Sequence, residues 1–367
     1  MEIKVISRET LAALHETDGI GWITIRDLLA DREKPPIRPG MREGDLRDYG
    51  LKPKQASALA KNLDAARMEE RRANFERQGI SYVTLADPDY PARLRRTEDP
   101  PPVLYYKGNS EMFARPSIAV VGTRLATAYG KHVTEQFSAA FAERGFAVVS
   151  GLAKGIDTCA HKGALHRSGG TIAVLGTPVD RIYPPENRQL YRDIADKGLI
   201  VSEAPPGTPY HPGMFPSRNR IIAGLALAVL VTEAPEESGA LITASQAIEA
   251  ERPVFVVPGP VTSPRSRGGM LMLKDGTANP VLDPEDVISR FNAFVSDNGP
   301  SRTANAHAES MSEEEDVIYR LVLEEPRSVD ELAAAVGIPF GQLHAVLLSL
   351  QMKRRIQRLP GSEYASL

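Results

Sequence analysis

Four basic residues stand in or beside glycine-containing segments in the middle of the chain: Arg124, Lys154, Arg218 and Arg220. A guanidinium group presents planar, forked donors that suit phosphate oxygens. A glycine loop that leads into a helix adds free backbone N–H groups and the positive end of the helix dipole. Loops of this kind contain Gly122, Gly151 and the pair Ser238 and Gly239. Together these residues predict a phosphate-binding surface.

Each of these cations could instead pair with a carboxylate of the same loops, namely Glu203, Glu233 or Asp157. For Arg220, which stands close to an apolar run, the ion pair and the ligand contact are equally open. For Arg124 and Arg218 we favour contact with a ligand.

The stretch FPSRNRIIAGL, residues 215–225, combines an aromatic ring with polar side chains before an apolar run. We expect a helix whose apolar part is buried and whose first turn, with Arg218 and Asn219, faces the binding surface. Asn219 would fix the turn, and Phe215 would stack on an unpaired base. Such stacking contributes about 1 to 3 kcal/mol per base.

The familiar catalytic motifs are missing from the sequence. We find no G-x-G-x-x-G after the first strand of the α/β region, no G-x-x-x-x-G-K-[ST], no H-E-x-x-H and no G-x-S-x-G. His161 and His166 lie on different faces of one predicted helix, which argues against a shared metal. Glu233 is the best isolated candidate for a catalytic carboxylate, but a structural role is favoured. We therefore expect a binding protein with no catalytic residue, metal or cofactor.

From residue 116 onward, apolar strands alternate with helical segments. Strands are predicted at 117–122, 146–151, 171–176, 199–204, 227–234 and 253–259, with further candidates at 80–85 and 103–108. Near-continuous apolar strands separated by helices require a parallel sheet covered on both faces. The fold class is α/β, with an extended Rossmann-like, doubly wound sheet whose strand ends would carry the binding loops.

Three further segments flank this core, which we place at residues 73–291. Residues 1–72 read as a helical domain of the SAM or helix-hairpin-helix kind, with a turn at 18–21 that either contacts DNA or packs as a plain corner, the second being favoured. Residues 292–310 read as a flexible linker. Residues 311–367 predict three helices and a two-stranded wing, a winged-helix-like domain. With six Lys/Arg against nine Asp/Glu there, protein contact is favoured over DNA binding.

Composition limits the classes of protein that remain. Of 367 residues, 42% are hydrophobic and 25% charged, with a net charge of -3, which is typical of a soluble globular protein and argues against binding nucleic acid through bulk charge. A single cysteine, Cys159, excludes an internal disulfide. No apolar stretch has the length of a membrane span or signal peptide. We expect a cytoplasmic protein that does not associate with membranes.

Several blocks of the chain resemble the bacterial DNA-processing protein A (DprA/Smf) family of natural transformation. The blocks include DPDYPARLRRTEDPPPVLYYKGN, AVVGTR, VSGLAKGIDTCAHKGAL, FPSRNRIIAGL and VTEAPEESGALITASQAIE. They follow the family's order from about residue 79 to 260. The flanking helical and winged-helix segments also resemble accessory domains of this family.

The resemblance implies a function. It implies binding of single-stranded DNA without sequence preference, interaction with RecA, and loading of RecA on incoming strands otherwise covered by single-strand-binding protein. It also implies a homodimer formed through the Rossmann domain. By position, Arg124, Arg218 and Arg220 would line the phosphate pocket with the glycine loops. The chain departs from the family at Gly176-Thr177-Pro178 and at Gly268-Gly269-Met270, so we assign Met270 no ligand role.

The sequence disfavours two other classes of function. A Rossmann-like nucleotide phosphoribohydrolase would need a P-G-G-x-G-T-x-x-E block, whereas the corresponding SGALITASQ has one glycine and no glutamate. A transcription factor would need duplex binding by the acidic C-terminal segment. Both are disfavoured.

Overall fold

The computed structural model describes residues 6–31, 33–209, 211, 213–296, 312–324, 327–352, 356–359 and 363–366. The chain divides into two compact units, residues 1–299 and residues 300–367. Each unit has its own hydrophobic core.

A nine-stranded sheet organises the first unit. Its strands are β1 (Ser81–Thr84), β2 (Val103–Gly108), β3 (Ser117–Val121), β4 (Ala147–Ser150), β5 (Thr171–Leu175), β6 (Leu199–Ser202), β7 (Ala228–Val231), β8 (Val254–Val256) and β9 (Asn279–Pro280). Their order across the sheet is β1-β2-β6-β5-β4-β3-β7-β8-β9. The strands from β6 to β9 all pair in parallel. β1 and β2 extend the β6 edge in antiparallel pairing, so the predicted doubly wound sheet and its edge extension are confirmed.

Helices cover both faces of the sheet because the central strands are apolar on both. They are α6 (Ala92–Arg95), α7 (Ala128–Glu143), α8 (Ile156–Ala164), α9 (Arg188–Lys197), α10 (Met214–Leu225), α11 (Gly239–Glu249), α12 (Arg267–Lys274), α13 (Glu285–Phe291) and α14 (Ala293–Ser296), with short 3-10 turns at Ser110–Ala114 and Pro185–Asn187. On β3, Ile118 and Val120 join the core formed with α7 and α8, while Ala119 and Val121 join the core formed with α10 and α11. Successive side chains of this one strand thus point into the hydrophobic cores on the two opposite faces of the sheet.

The direction of chain connection reverses between β3 and β7. From β3 the chain proceeds to β4 on one side, and from β7 it proceeds to β8 on the other. The loops after these two neighbouring strands therefore lead to helices on opposite faces and leave a crevice between them. Such a switch point is where open α/β sheets bind ligands.

Five helices precede the sheet: α1 (Arg8–His15), α2 (Trp22–Ala30), α3 (Glu43–Arg47), α4 (Pro53–Asn62) and α5 (Ala65–Gln78). They share one core with β1 and β2, where the Tyr105 hydroxyl donates to Glu16 Oε1 at 2.8 Å. The domain boundary expected at residue 72 falls inside α5. The apolar spacing of residues 54–76 predicts a helical segment. In the structure this segment breaks at Asp64, whose carboxylate accepts from the first N–H groups of α5.

The second unit is the predicted winged helix. It contains α15 (Glu313–Glu324), β10 (Arg327–Ser328), α16 (Val329–Val336), α17 (Phe340–Met352), β11 (Ile356–Leu359) and β12 (Glu363–Ser366). The wing strands β11 and β12 pair antiparallel, and β10 adds a third strand that the sequence did not indicate. Of the expected linker, residues 297–310 lie outside the described residues, while 293–296 form α14. Among the described helices, none is long and apolar enough to cross a bilayer.

Candidate nucleic-acid interface

A pocket of about 580 Å³ opens at the switch point between β3 and β7. We call it the switch-point pocket. Its lining includes seven of the predicted site residues: Gly122, Arg124, Phe215, Arg218, Asn219, Ser238 and Gly239. A recess of about 50 Å³ adjoins it through Arg124 and Phe215 and is lined by the predicted Gly151 and Lys154.

Helix α10 supplies one wall of the pocket. It begins at Met214, whereas the sequence suggested a start near Arg218. Residues three and four apart share a helix face, so Phe215, Arg218 and Asn219 point the same way. Arg218 consequently lies one turn inside the helix and is 6% exposed, which corrects its expected place in the exposed first turn.

Arg218 is a cation fixed in the pocket wall. One of its Nη atoms donates to the Val174 carbonyl oxygen, and its buried Nε has no partner among the described residues. Burial lowers the pKa of Arg218 to about 10, against the opposing effect of the Asp157 carboxylate. The guanidinium therefore remains charged at neutral pH.

Arg124 is the exposed cation of the pocket. Its guanidinium carbon lies 5.7 Å from the centroid of the Phe215 ring, and the Tyr183 ring centroid lies 5.5 Å from that of Phe215. Phe215 also packs over Gly176, where an added Cβ would stand 2.6 Å from the ring. A cation and two aromatic rings thus meet at the junction of the two cavities.

The start of α11 forms the opposite wall. Ser238 caps the helix by accepting from Ala240 N, and Gly239 begins it. Asn219 Nδ2 donates to the Gly239 carbonyl oxygen at 3.3 Å. The predicted role of Asn219 in fixing a turn is therefore replaced by a link between α10 and α11.

The loop after β4 is held by buried polar groups. Leu152, in the left-handed region at φ 55°, donates its N–H to His161 Nε2 at 3.2 Å. His161 Nδ1 lies 2.7 Å from Thr171 Oγ1, and burial, with the Arg218 charge, lowers the pKa of His161 to about 3. The neutral ring is thus a structural anchor, a role the sequence analysis missed because it depends on the register between α8 and β5. Among the described residues no cluster fit to hold a metal is present.

Asp157 anchors the same loop from the first turn of α8. The N-cap of that helix is Gly155. The carboxylate accepts from Gly151 N and Ala153 N, each at 3.2 Å. Burial raises its pKa, while Arg218 acts in the opposite direction.

Three charged residues of the predicted surface are engaged in ion pairs or capping. Arg220 Nη2 donates to both carboxylate oxygens of Glu203, at 2.7 and 2.8 Å, and Arg220 also contacts Asp99. Arg220 is not among the lining residues of either cavity, and the ion-pair alternative describes it. Lys154 pairs with Glu186 at the exposed rim. Glu233 accepts from Thr127 N and Thr127 Oγ1 at 2.9 and 2.6 Å and holds the start of α7.

The fold is an extended Rossmann-like sheet with a cationic pocket at its switch point, followed by a winged-helix unit. The family model for DNA recombination-mediator protein A matches residues 81–292, and the model for the DprA winged helix domain matches residues 302–362. The chain belongs to the DNA recombination-mediator protein A family, as the sequence resemblance indicated.

Individual relatives agree with this assignment. Protein Smf of Synechocystis is 38% identical over 322 residues, which cover 79% of this chain and 81% of that protein. DNA processing protein DprA of Bacillus subtilis is 39% identical over 220 residues, 60% of this chain and 74% of the relative.

Two solved structures are similar as well. That of DprA from Streptococcus pneumoniae matches with a TM-score of 0.67 and 34% identity, covering 77% of this chain and 98% of that one. That of DprA from Helicobacter pylori, described in terms of its single-stranded DNA binding mode, matches with a TM-score of 0.53 and 31% identity, covering 57% and 95%.

Proposed function

We propose that this protein binds single-stranded DNA without sequence preference at the switch-point pocket. The observation that carries the proposal is the meeting of exposed Arg124, the ring of Phe215 and buried Arg218 in one cavity. Guanidinium groups suit phosphates, and an aromatic face accepts any base. Contacts to phosphates and to the faces of bases carry no direct sequence information, so tolerance of sequence follows.

We further propose that the protein acts as a recombination mediator in the cytoplasm and is not an enzyme. In this role it would load RecA on incoming strands in place of single-strand-binding protein, and it would act as a homodimer formed through the Rossmann-like domain. Membership of the family and the single-stranded DNA binding described for the Helicobacter pylori relative support this role. The use of Glu233 in holding α7 supports a non-catalytic function.

The proposal is tested with Arg124→Ala and Phe215→Leu. Leucine keeps an apolar contact with Gly176 but removes the stacking face. We expect Phe215→Leu to weaken binding of a mixed-sequence oligonucleotide by about 1 to 3 kcal/mol. Arg124→Ala should reduce the slope of log affinity against log salt by about 0.7, because one phosphate is no longer neutralised.

The matched control is Arg192→Ala, which removes an exposed arginine from α9, away from both cavities. Binding by the control should equal that of the unchanged protein. If Arg124→Ala and Phe215→Leu also bind as the unchanged protein does, the pocket is not the DNA site.

A further inference from the structure

A second group of arginines lies away from the switch-point pocket. Arg93 is in α6, Arg96 follows that helix, and Arg252 lies two residues before the start of β8. We call these three residues the arginine cluster. β3, β7 and β8 are parallel, and the pocket lies at their carboxyl ends. The chain that enters β8 therefore lies at the opposite, amino ends of these strands.

The positive charges of the cluster oppose one another. Burial lowers the pKa of Arg93, and Arg252 and Arg96 lower it further. Burial and Arg96 also lower the pKa of Arg252, against the opposing effect of Glu251. Within the described part of the chain, no carboxylate forms an ion pair with any of the three. Neighbouring Arg95, by contrast, is satisfied by the carbonyl oxygens of Leu85 and Asp87.

Two interactions orient the cluster. The guanidinium carbon of Arg93 lies 5.2 Å from the centroid of the Phe294 ring, and that ring is 47% exposed. Arg252 makes a long 3.5 Å bond from Nη2 to the Arg93 carbonyl oxygen, while its buried Nε has no partner among the described residues. A buried donor without a partner and mutually repelling charges destabilise a fold. An anion that contacts all three guanidinium groups would supply the hydrogen-bond acceptor and the negative charge that the protein itself does not.

Helix α10 connects the cluster with the switch-point pocket. Its first turns carry Phe215 and Arg218, and near its other end Gly224 packs on α6, where an added Cβ would stand 2.6 Å from Leu94. Twelve helical residues span about 18 Å. A short oligonucleotide held in the pocket would therefore not reach the cluster, whereas a long strand would.

We propose that the arginine cluster, with the exposed ring of Phe294, is a second site for the phosphate backbone of a long single strand already held at the switch-point pocket. The inference rests on the proposed function. Arginine beside an exposed aromatic ring is a combination used to bind unpaired nucleic acid. The placement of both sites along α10 favours one continuous ligand over a separate acidic protein.

The test uses the full chain and the double variant Arg96→Ala with Arg252→Gln. Binding is measured for mixed-sequence strands of about three and about 30 nucleotides, lengths below and above the range of about 4 to 16 nucleotides that a single compact site covers. We expect the variant to bind the short strand as the unchanged protein does. For the long strand, affinity should fall on the order of tenfold and the salt slope by about 1.4, because two phosphates are no longer neutralised. The melting temperature of the double variant should equal or exceed that of the unchanged protein, because repulsion between the arginines is removed.

The matched control is Arg192→Ala with Lys197→Gln, which removes two exposed positive charges from α9. An equal loss in this control, or unchanged long-strand binding in the cluster variant, overturns the inference and leaves the proposed function intact. Loss of binding to a poly-glutamate peptide with no loss of DNA binding would assign the cluster to an acidic protein instead. If the unchanged protein binds neither strand, the proposed function and this inference are both wrong.

Discussion

At the scale of single residues, the two arginines of the switch-point pocket would have different parts in the proposed binding of a phosphate. Arg218 is buried and held by the Val174 carbonyl oxygen, so its charge is fixed in place. Arg124 is exposed and rests against an aromatic ring, so it remains accessible to a ligand. A fixed charge loses little freedom on binding, whereas an exposed one contributes most to the salt dependence.

Two glycines of the predicted site give opposite expectations on substitution. In Gly151→Ala the new Cβ would overlap Arg218 Nη1, whereas around Gly239 nothing lies within 4 Å. We expect Gly151→Ala to displace the guanidinium, to lower the free energy of unfolding by about 1 to 3 kcal/mol and to weaken DNA binding. Gly239→Ala is the control and should leave both quantities close to those of the unchanged protein. Urea unfolding and oligonucleotide titration measure both, and equal effects of the two substitutions would contradict the assigned position of Arg218.

His161 makes stability depend on pH. Because its pKa is about 3 in the folded protein and about 6.5 when exposed, the unfolded chain binds a proton first as the pH falls. Stability is therefore lost progressively from about pH 6.5 toward pH 3, by about 1.4 kcal/mol per pH unit at most. In His161→Gln, an amide oxygen can still accept from Leu152 N, but the titration is removed. The free energy of unfolding of the unchanged protein should fall by about 2 kcal/mol more than that of the variant between pH 7 and pH 5. If the free energies of unfolding of the two proteins change in parallel between pH 7 and pH 5, the ring is protonated in the folded protein over that range.

At the scale of elements, the start of α7 depends on a carboxylate from β7. Glu233 lies two residues after the end of that strand and accepts two hydrogen bonds from Thr127. Glu236, in the same loop, makes an exposed ion pair with Arg267. We expect Glu233→Ala to lower the free energy of unfolding by about 2 to 4 kcal/mol, because it removes two hydrogen bonds to a charged group. Glu236→Ala should change it by less than about 1 kcal/mol. Thermal unfolding of the two variants measures the difference, and a neutral effect of Glu233→Ala would reopen a role for this residue as a free carboxylate.

Periodicity in the sequence was enough to predict the elements but not their ends. Every central strand of the sheet was predicted, because an apolar run between helices has few other solutions. The start of α10 was missed because its N-cap residue, Gly213, makes no side-chain cap, and the helix begins at Met214, before the polar residues that suggested its first turn. The break at Asp64 was missed although aspartate is a good N-cap, because apolar spacing continues across it. The partners of Arg220 and His161 could not be chosen from sequence, since they depend on which strands become neighbours.

At the scale of the whole molecule, the chain consists of two units with separate cores. Residues Ile318, Leu332 and Leu347 belong to the core of the second unit, and the core of the sheet contains none of its residues. We expect fragments 1–299 and 300–367 to fold alone, and calorimetry of the full chain to show the transitions of both. The first fragment should retain binding of short single strands. A second fragment that remains unfolded alone would contradict the division into independent units.

The crevice between β3 and β7 also has a consequence for synthesis on the ribosome. The two loops that flank it follow strands that begin at residues 117 and 228, so more than a hundred residues separate them. When β3 to β6 have been synthesised, the loop after β3 is present and the loop after β7 is still untranslated. The nascent chain can therefore begin to assemble its sheet, but the crevice cannot form until β7 has paired with β3. The crevice is therefore completed late in synthesis, and the proposed ligand could take no part in the early steps of folding.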